Sequence, residues 1–193
     1  MAENISYKFV RWYMRTIFKI KINGAENFPK EGGCMVWSNH ISMWDPVLLS
    51  CFMPRKIGFI AKAELKKVPF VGGVLKSVNT IFIKRNSGDL AAIKESIKSL
   101  SEGRVVGIFP TGTREKKNPD AKPKSGAALI ATKAATTVVP VGIKATYKMF
   151  STVEVNIGKP VDFSEYKGVK TNSEQLENLT EEIYNKIIEI KSC

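Results

Sequence analysis

Short apolar, β-rich runs alternate along this chain with stretches of helical period, and that alternation leaves few folds open. Residues 34–37, 57–61, 80–83, 105–109, 138–143 and 153–157 are short runs rich in β-branched and apolar side chains, and they read as strands. Between or after them, residues 46–53, 69–77, 88–102 and 125–136 read as helices, with Gly103 closing the third. A last amphipathic helix is expected over 173–191, with Leu176, Leu179, Ile183, Ile187 and Ile190 inward. On the 88–102 helix, Leu90, Ile93, Ile97 and Leu100 share the expected inner face. Strands alternating with helices predict an α/β fold: an αβα sandwich with a largely parallel central sheet. The 193 residues suffice for a single domain spanning 1–193. Ligands of such sheets gather beyond the carboxyl ends of the strands.

The N-terminal stretch has its own character. Over residues 4–20, Ile5, Phe9, Tyr13 and Ile17 form one stripe at about 100° per residue, with Val10 and Met14 beside it. Lys8, Arg11, Arg15 and Lys19 gather on the other side, flanked by Trp12. An amphipathic helix of this kind either rests in lipid headgroups or packs on the protein's own core, and one apolar side serves both. Residues 18–22 alternate apolar and basic and end at Asn23-Gly24, so the helix is expected to stop near Ile17.

Net charge narrows the partners. A formal +12 points to an anionic partner: nucleic acid, an anionic membrane surface or a phosphorylated substrate. Nucleic acid is disfavoured, because no RNP-like, zinc-finger or helix-turn-helix pattern is present. Cys34, Cys51 and Cys193 form no CxxC pair, which favours a reducing setting. No apolar stretch is long enough to span a bilayer, and the first residues lack the basic start of a signal peptide. The one long connector, residues 111–124, is basic and proline-punctuated, and is expected to be a functional cover or a mobile segment.

His40 is the only histidine, and Asp45 follows five positions later. One imidazole builds no multi-histidine metal site, which argues against zinc or non-haem iron chemistry, and the sequence implies no cofactor. Held by a carboxylate, it serves as a general base. The alternative is a helix start, with Ser42 and Asp45 as a capping box or Asp45 as the cap before Pro46. No GxSxG elbow is present to suggest a serine hydrolase.

Four blocks follow in order: Asn39-His40-x4-Asp45; residues 80–85, ending in Lys84-Arg85; Phe109-Pro110-Thr111-Gly112-Thr113-Arg114; and Val139-Pro140-Val141-Gly142-Ile143. Together they resemble the glycerolipid acyltransferase family, whose best-known members are the 1-acylglycerol-3-phosphate acyltransferases. The resemblance covers about residues 34–147, an expected acyltransferase core, and leaves 4–20 as a membrane-associating helix. It implies acyl transfer from a thioester, acyl-CoA or acyl carrier protein, to the 2-hydroxyl of lysophosphatidate, giving phosphatidate. Glycerol 3-phosphate or another lysophospholipid is an alternative acceptor, and an inactive lipid-binding homologue an alternative fate. His40 and Asp45 would be catalytic, while Arg85, Gly112, Thr113, Arg114 and Lys124 would bind substrate. The expected location is peripheral (monotopic), on the cytoplasmic face of the membrane. Two departures add positive character: Thr111 stands where the family has glutamate, and Lys84 where aspartate is common. The helix at 46–53 and the segment 68–75 are apolar enough to line an acyl tunnel or simply to fill a core.

Overall fold

In a computed structural model, residues 5–62, 80–83 and 88–192 are described. The expected helix over 69–77, the apolar segment 68–75 and Arg85 lie outside these residues.

Helix α1 (Ile5–Ile17) leads into strand β1 (Lys19–Asn23), followed by β2 (Cys34–Ser38) and helix α2 (Asp45–Phe52). Strands β3 (Ile57–Lys62) and β4 (Ile81–Ile83), helix α3 (Gly88–Ser101) and strand β5 (Val105–Ile108) come next. Helix α4 (Gly126–Ala134), the long strand β6 (Thr137–Ala145), β7 (Thr152–Ile157) and helix α5 (Ser173–Ser192) complete the order. The strands form one sheet in the order β1-β7-β6-β2-β5-β3-β4. Every neighbouring pair is parallel except β6 and β7, which run antiparallel.

The central strand β2 explains the layering. All five of its residues are buried, so both faces of the sheet are covered, as parallel sheets require. Cys34 and Val36 point into a core shared with Met14 and Phe18 at the α1–β1 junction and Val47, Leu48 and Leu49 of α2. Met35 and Trp37 point the other way, into a core with Leu100 of α3, Ala127, Ala128 and Ala131 of α4, and Ile183 and Ile187 of α5. This is the αβα sandwich expected from the periodicity. On α3, Ile93, Ile97 and Leu100 pack as expected, but Leu90 in the first turn is 71% exposed.

Helix α1 divides its apolar side differently from the simple stripe. Val10, Met14 and Ile17 face the core, while Phe9 and Tyr13 face outward with Trp12, at 50%, 41% and 61% exposure. The core-facing line is therefore one residue further along the chain, because α1 lies against α2. Arg11 and Arg15 stand over the Phe52 ring, each 5.6 Å from its centroid, a cation–π arrangement that fixes the two helices side by side.

Because β2, β5, β6 and β4 are mutually parallel, their carboxyl ends reach the same edge of the sheet. That edge receives His40 after β2, the Phe109–Arg114 loop after β5 and the 146–151 loop after β6.

Candidate active site

Four residues separate His40 from Asp45, and their backbone curls around the Asp45 carboxylate. Asp45 Oδ2 accepts the amides of Ile41 and Ser42, each at 2.7 Å, and also takes His40 Nδ1 at 2.7 Å. The Asp45 side chain is fully buried, whereas that of His40 is 17% exposed. A carboxylate in the first turn of α2 is favoured by the helix dipole. The helix-start alternative is met only in part: the Ser42 amide donates to Asp45, but Ser42 Oγ accepts the Trp44 amide at 3.3 Å and not that of Asp45, and α2 begins at Asp45 after Trp44 without a side-chain cap. Asp45 thus organises the start of α2 and holds the imidazole with the same oxygen.

With Nδ1 donating to the carboxylate, Nε2 carries the lone pair, and no described residue hydrogen-bonds it. The ring is held flat as well. Phe109 stacks on it at 4.1 Å between centroids, and Phe59 stacks on Phe109 at 5.1 Å. Gly107 on β5 makes room for that pile, because a Cβ there would overlap the Phe59 ring.

The loop after β5 wraps the histidine. Glu115 donates its amide to the His40 carbonyl at 2.8 Å, and Lys124 donates its own to Pro110 at 2.9 Å. The 111–124 connector is therefore tied at its base to Pro110 and, through Glu115, to His40 just after β2. Gly112, in left-handed backbone at φ 65, turns the chain, and its amide is spent on the Phe109 carbonyl at 2.9 Å. Among the described residues, the amides of Thr111, Thr113 and Arg114 in this loop find no hydrogen-bond partner.

Thr111, in the place of the family's glutamate, is 5% exposed, and its hydroxyl donates to the Thr113 carbonyl at 2.9 Å. It braces the turn from inside. Arg114 is half-buried, and no described side chain pairs with its guanidinium. A Cβ on Gly112 would lie 3.6 Å from Lys124 Nζ, so the Gly112 turn and Lys124, two residues before α4, meet. The structure thus brings His40, Asp45, Gly112, Thr113, Arg114 and Lys124 to one edge. Arg85 falls outside the described residues; β4, which precedes it, ends on this same edge.

Several supporting residues were not read from the sequence as functional. Asn39 Oδ1 accepts the Ile143 amide at 2.7 Å, and its Nδ2 donates to the Ile143 carbonyl at 3.0 Å and to Glu115 Oε1 at 3.2 Å. Lys191, in the last turn of α5, reaches Glu115 Oε2 at 2.9 Å. Gly142 permits this approach, since a Cβ there would collide with the Lys191 backbone. Asn39 and Gly142 sat inside recognised motifs; Glu115 and Lys191 carried no local signal.

The chain is similar to known proteins along most of its length. The Acyltransferase family model matches residues 19–144. The chain is 33% identical over 176 residues to a 1-acyl-sn-glycerol-3-phosphate acyltransferase of Borreliella burgdorferi, covering 88% of this chain and 70% of the relative. A protein of the same name from Bacillus subtilis is 29% identical over 196 residues, covering 96% and 97% of the two chains. The crystal structure of the 1-acyl-sn-glycerophosphate (LPA) acyltransferase PlsC from Thermotoga maritima superposes with a TM-score of 0.72 at 29% identity, covering 97% of this chain and 80% of that one.

Proposed function

The chain belongs to the acyltransferase family, and from that premise we propose that it acylates the 2-hydroxyl of 1-acylglycerol 3-phosphate from an acyl thioester, yielding phosphatidate. The single observation that carries this reading is the His40–Asp45 pair: a fully buried carboxylate 2.7 Å from Nδ1 on an imidazole whose Nε2 is left without a described partner. In the proposed reaction the acceptor hydroxyl gives its proton to Nε2 as its oxygen attacks the thioester carbonyl. The amides of Thr113 and Arg114 receive the oxyanion. Collapse breaks the carbon–sulfur bond, and the imidazolium returns its proton to the departing thiolate. Acceptor and donor combine directly, so no acyl-enzyme is needed.

Arg114 and Lys124 supply the positive charge for the acceptor phosphate, with Arg85 as a further phosphate ligand. The planar guanidinium fork suits two phosphate oxygens. The donor is acyl-CoA or acyl carrier protein, both anionic and both suited to a chain of formal charge +12.

The acceptor is a lipid, and the proposed workplace is the cytoplasmic face of a membrane, approached peripherally. Among the described residues no helix is long and apolar enough to cross a membrane. Support comes from the outward row of Phe9, Trp12 and Tyr13 on α1. An open groove of about 390 Å³ is lined by Lys8, Arg11, Trp12, Arg15 and Thr16 beside it, a basic and aromatic seat for an anionic headgroup.

The test is transfer of labelled acyl groups from acyl-CoA to lysophosphatidate in anionic vesicles. His40→Ala should lose 10²- to 10⁴-fold, roughly what a positioned general base contributes, while keeping its fold by circular dichroism. Unchanged turnover in that variant sinks the proposal.

A further inference from the structure

Asp45 has a partner that belongs to none of the four motif blocks. Tyr147 lies just past the end of β6 in left-handed backbone, φ 54, which a bulky side chain adopts only where its surroundings enforce it. Three contacts do so here. Its hydroxyl donates to Asp45 Oδ1 at 2.6 Å. Its ring meets Phe18 edge to face at 5.6 Å. Three residues on, the Phe150 amide donates to the Ile17 carbonyl at 2.7 Å.

We propose that Tyr147 is a positioning residue for the His40–Asp45 pair, fixing one carboxylate oxygen so that the other stays aligned on the imidazole. The two oxygens are unequally served. Oδ2 takes the imidazole and two amides, while Oδ1 has the Tyr147 hydroxyl as its described donor. Asp45 is fully buried, so a lost hydroxyl leaves a charged oxygen away from solvent without that donor. The carboxylate then rotates, or shifts negative charge toward His40. Burial, and then the Asp45 charge, hold the phenol protonated well above the usual tyrosine range, so it remains a donor at any working pH. Phe18 begins the turn from α1 into β1, so the same ring ties the pair to the base of the N-terminal helix. This inference rests on the reading of His40 and Asp45 as the catalytic pair.

Tyr147→Phe keeps the ring against Phe18 and removes only the oxygen. Because His40 is the sole histidine, a nitrogen-15-edited spectrum of the substrate-free protein shows one imidazole, whose Nδ1–H signal reports the bond to Asp45. The expected result is a displaced Nδ1–H signal and a kcat lowered about 10- to 100-fold, the usual cost of losing a supporting partner, with KM for both substrates unchanged. Phe18→Leu, which loosens the ring and leaves the hydroxyl, should displace the same signal by less. Wild-type kcat with an unmoved imidazole signal in Tyr147→Phe overturns the inference; should that variant not fold, an unmoved signal in Phe18→Leu does so. His40→Ala measured alongside separates the two ideas: activity retained there removes the proposed reaction, while the imidazole spectrum still decides the role of Tyr147.

Discussion

The Asn39 side chain pairs with the backbone of Ile143 as one more rung of the sheet, accepting its amide at 2.7 Å and donating to its carbonyl at 3.0 Å. β2 ends at Ser38, yet this amide extends its attachment to β6 by one residue, immediately before the chain leaves the sheet as His40. The backbone that carries the imidazole is thereby anchored to the sheet on the β6 side, while the loop after β5 holds it from the other.

Asn39→Ala removes that rung and leaves both Ile143 groups buried. It should cost about 2–4 kcal/mol of stability, as two lost hydrogen bonds with unsatisfied partners do, and lower kcat through His40. Urea denaturation with acyl-transfer kinetics checks this; wild-type stability would show that the pairing contributes nothing.

Arg114 has no described side-chain partner, so its substitution breaks nothing inside the protein. Arg114→Ala should raise KM for lysophosphatidate about 10- to 100-fold, the equivalent of a charge-assisted pair worth about 1.5–3 kcal/mol. Its melting temperature should stay at the wild-type value. An acceptor lacking the phosphate should be indifferent to the substitution. Equal effects on both acceptors would take Arg114 out of phosphate binding.

Trp12 and Phe9 face outward from α1 beside its basic residues. Trp12→Glu should weaken sedimentation with anionic vesicles by about 2 kcal/mol, roughly 30-fold, the loss of one buried aromatic group. High salt should weaken the wild type as well, and neutral vesicles should bind it poorly. Vesicle binding untouched by Trp12→Glu would place the membrane contact elsewhere.

Burial raises the thiol of Cys34 from 9.0 to about 11 and that of Cys51 from 9.0 to about 12, each offset in part by a nearby arginine. The folded protein keeps these protons while the unfolded chain loses them, so the stabilisation is complete below pH 9 and falls as pH rises through 11 and 12. The melting temperature should therefore decline from about pH 9 upward, and Cys51→Ala should shallow that decline up to about pH 11 and remove the thiol contribution between about 11 and 12. Native Cys34 and Cys51 should resist alkylation at pH 8, read by mass spectrometry. A decline identical in the variant would assign it to other groups.

Periodicity and short-range spacing determined a great deal by themselves. The alternation of residues 34–37, 57–61, 105–109 and 138–143 with helical stretches fixes a layered parallel sheet, because a strand buried on both faces needs helices over both. Five positions suffice for the chain to turn the amides of Ile41 and Ser42 onto Asp45 and bring it to His40. Such arrangements are local, so local sequence encodes them. Only the tertiary structure decided the rest: Tyr147 meets Asp45 across 102 positions, Lys191 meets Glu115 across 76, and Phe9 and Tyr13 leave a stripe that Met14 enters. The physical reason is shared. A side chain's partner across the sheet edge depends on which strands lie side by side and on the room that Gly107 and Gly142 leave between them, and no window of neighbouring residues contains that information.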